Sequence, residues 1–439
     1  MRKIITLQIG QCGNQIGYEF WKRLAAEHGI EPDGVLTTSE EVLEDRKDIF
    51  FYPADDGRYV PRSILIDTEP GVIDRISKSE YSNFYNSENI IIPSSVGGGG
   101  AGNVWTHGHE CGKENYEALT DVIRREVEII DSLEGFLFTH SIGGGTGSGL
   151  GSFLIEKLHD EYKKATIMSY SVFSRQDSEV VVQPYNSILT LRRLTEFADA
   201  VVVLDNDSLS SIAASKLHLK NPGFAEINSL VSLVMAATTA TLRFPSYSNN
   251  DLISLLAPLI PIPQCHFLMT GYTPISLETS KQVRTSVIDV MTRLLDPKNI
   301  MVSSEIQNGM FMSILNIIQG KVDPTEIHRG LRQVRENRSL RFTPWGPASL
   351  QLALSRSSPF LESPNRVSGL MLANHTSIRH LFNRIIADFT KIYSKKAYMQ
   401  NFQIDGIEDE FRDSFTTVKN LIKEYEEAER PDFLNLEDE

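Results

Sequence analysis

Apolar and polar positions along the chain fall into two rhythms. Unbroken apolar runs bounded by glycine or polar turns recur at residues 4–9, 64–66, 135–138, 167–173 and 200–204. Runs this short and this apolar predict strands buried on both faces. Between them, residues 15–26, 115–130, 150–164 and 185–197 place their apolar side chains at helical spacing. Strand alternating with helix over the first 205 residues predicts a largely parallel sheet covered on both sides, an α/β architecture of Rossmann-like kind.

The rhythm then changes. Residues 224–242 are apolar on most faces, with Ile227, Leu230, Val231, Leu233, Val234 and Met235 in close succession. Such a helix is expected to be buried between two larger bodies. New apolar runs at 265–269, 310–318, 350–354 and 369–372 predict a second sheet, with helices near 287–295 and 326–337 covering it. Two amphipathic helices close the chain, one over 377–396 and one whose Phe411, Phe415, Val418, Ile422 and Tyr425 recur at steps of three or four. The expected division is a nucleotide-binding domain over 1–205, a connecting segment with the central helix over 206–245, an intermediate α+β domain over 246–371 and a C-terminal helical region over 372–439.

Composition narrows the function. With 439 residues the chain is long enough for two or three domains, and its 41% hydrophobic and 23% charged residues are those of a folded protein. The net charge of −14 argues against a protein that binds nucleic acid by neutralising phosphates. Much of that charge is terminal: residues 401–439 hold 13 acidic against 4 basic residues, which reads first as a solvated helix face. Three scattered cysteines, Cys12, Cys111 and Cys265, are too few for a disulfide framework and fit a reducing compartment. The opening apolar run breaks at Gln8 and Gly10, short of a signal peptide or spanning helix. A cytoplasmic protein with no membrane insertion is therefore expected.

The strongest local signal is Gly143-Gly144-Gly145-Thr146-Gly147-Ser148-Gly149, between a predicted strand and a predicted helix. Glycines let backbone amides approach an anion, a helix N-terminus adds partial positive charge, and Thr146 and Ser148 offer hydroxyl donors. The loop lacks the lysine of the common P-loop, so charge neutralisation is expected from amides and a cation. Two further glycine clusters, Gly10 to Gly17 and Gly97 to Asn103, also sit at predicted strand–helix junctions, and three such loops at one sheet edge point to a polyphosphate. Asp67 and Glu69, at the end of the strand over 64–66, are the expected magnesium ligands. His107, His109 and Cys111 look like a metal cluster, but on a helix 109 points away from the other two, so one zinc cannot take all three. No Gly-x-Ser-x-Gly elbow accompanies His140-Ser141, which excludes a common hydrolase triad.

These loops resemble a known family. Gly143 to Gly149 is similar to the signature loop of tubulins, and Gln8-Ile9-Gly10-Gln11-Cys12-Gly13-Asn14-Gln15 to their N-terminal loop. Val182-Gln183-Pro184-Tyr185-Asn186, Leu204-Asp205-Asn206 and Gly271-Tyr272-Thr273-Pro274 follow in the family's order. The resemblance implies the tubulin fold and a site for GTP or GDP with Mg2+. The nucleotide would be bordered by Gln11, Cys12, Gln15, Ala101, Gly102, Asn103, Ser141, Gly143, Gly144, Gly145, Thr146, Gly147, Ser148 and Gly149. Asn206 and Asn228 would read the guanine edge, Phe224 would stack on the base, and Glu179 would take the place of an acid near the ribose. The loop over 174–179 is shorter than in animal relatives of the gamma branch.

That branch is the one the remaining segments resemble. Trp345 to Ser349, Ser368 to Ser377 and Asn249 to Ile253 look like gamma-tubulin, and the ending Leu436-Glu437-Asp438-Glu439 is shorter than the glutamate-rich tails of alpha and beta chains. The resemblance implies a GTP-binding subunit that nucleates microtubules at a microtubule-organising centre, the centrosome or spindle pole body. Its implied partners are gamma-tubulin complex proteins, the alpha-tubulin of the alpha/beta dimer, and other copies of itself held laterally through residues 273–284. Ser254 stands where alpha-tubulin carries a glutamate, so slow hydrolysis at most is expected, and GTP acts as an assembly ligand. The rival readings are a polymer-forming alpha- or beta-like subunit, a prokaryotic division protein of tubulin type, and a dinucleotide-dependent oxidoreductase, whose G-x-G-x-x-G spacing is missing.

Overall fold

The computed structural model describes residues 2–37, 45–93, 100–175, 180–216, 222–245, 250–275, 286–303, 306–320, 322, 324–335, 340–361, 367–402 and 404–434. Within them run the strands β1 Lys3–Ile9, β2 Phe51–Pro53, β3 Tyr59–Pro61, β4 Ser63–Ile66, β5 Ile90–Ile91, β6 Leu133–Ser141, β7 Thr166–Phe173, β8 Ala200–Asp205, β9 Phe267–Thr273, β10 Phe311–Gly320, β11 Ser349–Ser355 and β12 Val367–His375. Ten of them form one sheet in the order β11-β10-β12-β9-β8-β7-β6-β1-β4-β5, and β2 and β3 form a separate hairpin.

From β5 to β9 every neighbouring pair is parallel. Parallel strands need crossover helices, and these cover both faces, which is why β1, β4, β6, β7 and β8 are buried along almost their whole length. The expected second sheet is not separate. Phe267 and Leu268 of β9 pair parallel with Val201 and Val202, while Met269 to Thr273 of the same strand pair antiparallel with β12. One strand thus belongs to both halves, and the sheet continues through it.

The central helix is Phe224–Thr238, followed by a short helix Ala240–Arg243. From Ile227 to Thr238 it is buried apart from Ser229 and Leu233, as its all-round apolar pattern predicts. It packs on the helix Gly10–Glu27 and reaches β10 and β12, so it spans the two halves of the sheet. The closing helices, Arg379–Tyr393 and Ile407–Glu427, pack on each other and on the helix Gln183–Phe197. Tyr185 is the anchor: its ring lies 5.7, 5.2 and 5.1 Å from those of Phe389, Phe402 and Phe411, and its hydroxyl donates to Ala397 O at 2.8 Å. Glu410 adds ion pairs to Arg192 at 3.1 Å and Arg193 at 2.5 Å. The C-terminal helices are therefore fixed to the element that also frames the loops at the sheet edge.

Candidate functional site

The C-terminal ends of β1, β4, β6, β7 and β8 open onto a cavity of about 720 Å³, the place where open parallel sheets take their ligands. Gly10, Gln11, Cys12 and Gln15 enter it from the first turns of the helix after β1, Asp67 and Glu69 from the turn after β4, and Ala101, Gly102 and Asn103 from the loop before the helix Trp105–Glu114. Ser141, Gly143, Gly144, Gly145, Thr146 and Gly147 come from the end of β6. Asn206 lies just past β8, and the central helix brings Phe224 and Asn228. Residues scattered over more than 200 positions meet around one hollow. Glu179 lies outside the described residues.

Two helices start at the wall. Gly10–Glu27 and the Thr146–Leu150 turn that runs into Gly151–Glu161 have neither a capping side chain nor an acidic residue in their first turns. Uncapped N-termini leave backbone N–H groups without partners and a partial positive charge, the environment an anion needs. The Thr146–Leu150 turn has π-helical spacing, a widening common at functional sites.

The glycine loop works differently from the expectation. A Cβ on Gly149 would lie 2.0 Å from Trp105 O, and one on Gly145 would lie 2.7 Å from Val104 N. These glycines are needed because the loop is pressed against the 101–105 segment. A Cβ on Gly144 would meet, among the described residues, only Asn103 Oδ1 within 4 Å, at 4.0 Å, so the loop stays open around this residue. Ser148 and Gly149 do not line the cavity. The Ser148 hydroxyl is spent inside the loop, donating to the carbonyls of Gly144 and Gly145, and so is not the expected donor to a ligand. The Thr146 hydroxyl lies 2.6 Å from that of Thr68.

Beneath the loop sits His140, fully buried in β6. Its Nδ1 is 2.8 Å from Gly147 O, and its Nε2 is 2.9 and 3.0 Å from the hydroxyls of Ser169 and Ser171. A carbonyl can only accept, so the neutral ring carries its proton on Nδ1 and takes a serine hydroxyl at Nε2. Burial pushes the imidazole down from 6.5 to about 4, opposed by the bond to Gly147. The folded state thus refuses a proton that the unfolded state accepts. The stability contributed by neutral His140 is present above pH 6.5 and lost as pH falls towards 4, about 3 kcal/mol at most. Denaturation at pH 7.5 and 4.5 is expected to show wild type losing more stability than His140→Gln by about that amount; equal losses would contradict it.

Asp67 is buried and forms no ion pair among the described residues. Burial raises its carboxyl to about 6, against the Glu69 N–H that donates to it and with a smaller push from the Glu69 charge. A buried carboxylate beside a second one, at the edge of an anion pocket, fits a divalent cation that also takes phosphate oxygens. Burial holds the Cys12 thiol up at about 12, so it contacts the cavity as a neutral group. His109 stacks on Trp105 with ring centres 4.4 Å apart, and the Arg193 guanidinium lies over the Trp105 ring at 5.7 Å. Its environment is that of a packed core residue.

Several residues of the site had no role assigned to them from the sequence. Asn186, fully buried, donates from Nδ2 to Asn103 O at 2.7 Å and Gly143 O at 2.9 Å and accepts from Trp105 N at 2.9 Å, tying two of the three glycine loops together. Asn14 Nδ2 ties Gly10 O to Ile66 O, 3.0 and 3.1 Å away. Arg75 and Arg175 stand in the wall, so amides and a cation are not its only sources of positive charge.

A family model of the Tubulin/FtsZ GTPase domain matches residues 3–214, and one of the tubulin C-terminal domain matches residues 263–387. The chain belongs to the tubulin superfamily. The cavity of this tubulin-superfamily chain lies in the matched GTPase domain, completed by the central helix that joins it to the matched C-terminal domain. The domain is one that binds GTP or GDP. No helix among the described residues is long and apolar enough to cross a membrane.

Proposed function

We propose that this tubulin-superfamily chain is of gamma type: a guanine-nucleotide-binding subunit that nucleates microtubules by presenting a template to alpha/beta-tubulin. Guanine nucleotide would lie with its phosphates against Gly144 to Gly147 and the start of the helix Gly10–Glu27, Asp67 and Glu69 holding magnesium beside them. Asn206 and Asn228 supply amides to the base edge. Phe224, 69% exposed at the rim, offers a flat apolar face that a base would cover.

The observation that favours a nucleating over a hydrolysing role is at Ser254. Its N–H donates to Asp251 Oδ1 at 2.9 Å and its hydroxyl to Asp251 O at 3.0 Å, so both its polar groups are engaged in the turn that Asp251 caps, and the carboxylate beside it is already taken up. Hydrogen bonding from Ser254, with Arg2 close by, holds the Asp251 carboxyl below the usual carboxylate range, which makes it a poor proton acceptor. A subunit stacked below would receive no activated water from this loop. Nucleotide then acts on conformation and assembly, and hydrolysis is slow.

The segments that resemble gamma chains are hydrogen-bonded into the body of the fold. Trp345 Nε1 donates to Ala428 O at 2.7 Å beyond the last helix, and Asn374 Nδ2 donates to Leu259 O and Cys265 O at 3.1 and 2.6 Å. In this reading the chain works in the cytoplasm at a centrosome or spindle pole body, held by gamma-tubulin complex proteins. Other copies would flank it through residues 273–284, most of which lie outside the described residues.

Purified alpha/beta-tubulin, supplied with this chain and its co-purifying partners, is expected to polymerise after a shortened lag. Unchanged lag, together with self-assembly of the chain into long polymers, would favour an alpha- or beta-like polymer subunit.

A further inference from the structure

Arg175 stands two residues past the end of β7, where the chain passes between the phosphate loop and Asn206. Its neighbour Ser174 touches the loop: a Cβ on Gly143 would lie 2.1 Å from Ser174 Oγ. On the other side, Arg175 Nη2 donates to Ser210 Oγ, and Ser210 donates to Asn206 O at 2.6 Å. The guanidinium is thus fixed in the cavity wall between the residues assigned to the phosphates and those assigned to the base. Its Nε is buried without a hydrogen-bond partner, and no carboxylate among the described residues pairs with it. A half-buried guanidinium left so is costly unless an anion arrives to pair with it.

We propose that Arg175 is a nucleotide-binding residue whose guanidinium pairs with the phosphate nearest the ribose, supplying a fixed positive charge that the glycine loop lacks. The proposal rests on the guanine-nucleotide reading of the cavity. A nucleotide laid from Gly144 to Asn206 passes its first phosphate at the level of Gly143 and Ser174, where Arg175 stands. Arginine suits this place because its planar fork can give one N–H to Ser210 and keep others for a phosphate oxygen. Ser210 is then a positioning residue that aims the fork.

The test separates phosphate recognition from packing. A fluorescent GDP analogue bound to the full chain is displaced by guanosine and by GMP, and the ratio of the two affinities is compared between wild type, Arg175→Gln and Arg175→Lys. The preference for GMP is expected to fall by about tenfold in Arg175→Gln, with guanosine affinity within about twofold, and to be partly restored in Arg175→Lys. Should Gln not fold, Lys alone is expected to weaken GMP relative to guanosine, since it cannot form the fork. An unchanged ratio, or an equal loss for both ligands, overturns the assignment. If wild type does not bind the GDP analogue, the guanine-nucleotide reading itself falls, and Arg175 with it.

Discussion

Asn186→Ala is expected to destabilise the protein by about 4 kcal/mol and to weaken nucleotide binding by about two orders of magnitude. The amide is fully buried and makes three bonds to backbone groups of two loops that never meet in sequence. Removing it leaves Gly143 O and Trp105 N buried without a partner and frees Asn103 O at the part-buried rim, and each buried unsatisfied group costs about 1–3 kcal/mol. The loss also frees the 100–105 segment from Gly143, so the cavity wall is no longer held in shape. Asn186→Asp is expected to be at least as harmful, because it keeps the acceptor for Trp105 but buries a charge facing two carbonyls. Chemical denaturation and nucleotide displacement on the same preparations check both effects. A stability change under about 1 kcal/mol would mean that the loops are held by something other than this side chain.

Within the glycine loop, two substitutions are expected to fail in opposite ways. Gly149→Ala places a methyl 2.0 Å from Trp105 O and 2.7 Å from His109 N, both backbone atoms that cannot swing aside. The loop and the helix Trp105–Glu114 must separate, at a cost of about 3 kcal/mol, and the protein is expected to melt early. A Cβ at position 144 meets, among the described residues, only Asn103 Oδ1, at 4.0 Å, so the stability of Gly144→Val is expected to stay within about 1 kcal/mol of wild type. Its isopropyl group, however, occupies the mouth of the phosphate cradle, and nucleotide affinity is expected to fall about a hundredfold. Thermal melts paired with binding measurements distinguish the two. If Gly144→Val binds nucleotide normally, the phosphates do not lie where the loop is open.

Much of this arrangement can be read from local sequence because its signals are local. An apolar run, then glycines, then helical spacing mark β6, its loop and the helix Gly151–Glu161 without any knowledge of the rest. The same holds for Gly10 after β1 and for the pair Asp67 and Glu69 after β4. The hairpin of β2 and β3 is hidden because its strands are three residues long and end in Pro53 and Pro61, so no period has room to show. The shared role of β9 is tertiary: the same apolar run suits a separate sheet equally well until its partners are seen.

The site shows the same divide. Residues that belong to a glycine loop announce themselves, whereas those that brace it do not. Asn186 and His140 are single polar residues within a buried helix and a buried strand, and nothing adjacent to them in sequence tells that they grip Gly143 and Gly147. Arg175 lies in a loop whose partners, Ser210 and Asn206, are more than thirty residues on. Ser148 misleads for the converse reason: its position within the loop suggests a ligand donor, but the turn of Thr146–Leu150 aims its hydroxyl back at Gly144 and Gly145. Glycine run and hydroxyl together point to the cavity wall, where the structure puts Gly143 to Gly147, but not to the duty of each member.

A guanine nucleotide in the cavity is detected by identifying what the purified protein carries. Folded protein freed of unbound nucleotide is denatured, and the released small molecules are separated and identified by mass spectrometry. Guanosine di- or triphosphate is expected in near-equal amount to the chain, reduced together with affinity in Gly144→Val. Adenine nucleotide, or no nucleotide from protein that melts cooperatively and fails to take up added GTP, would contradict it.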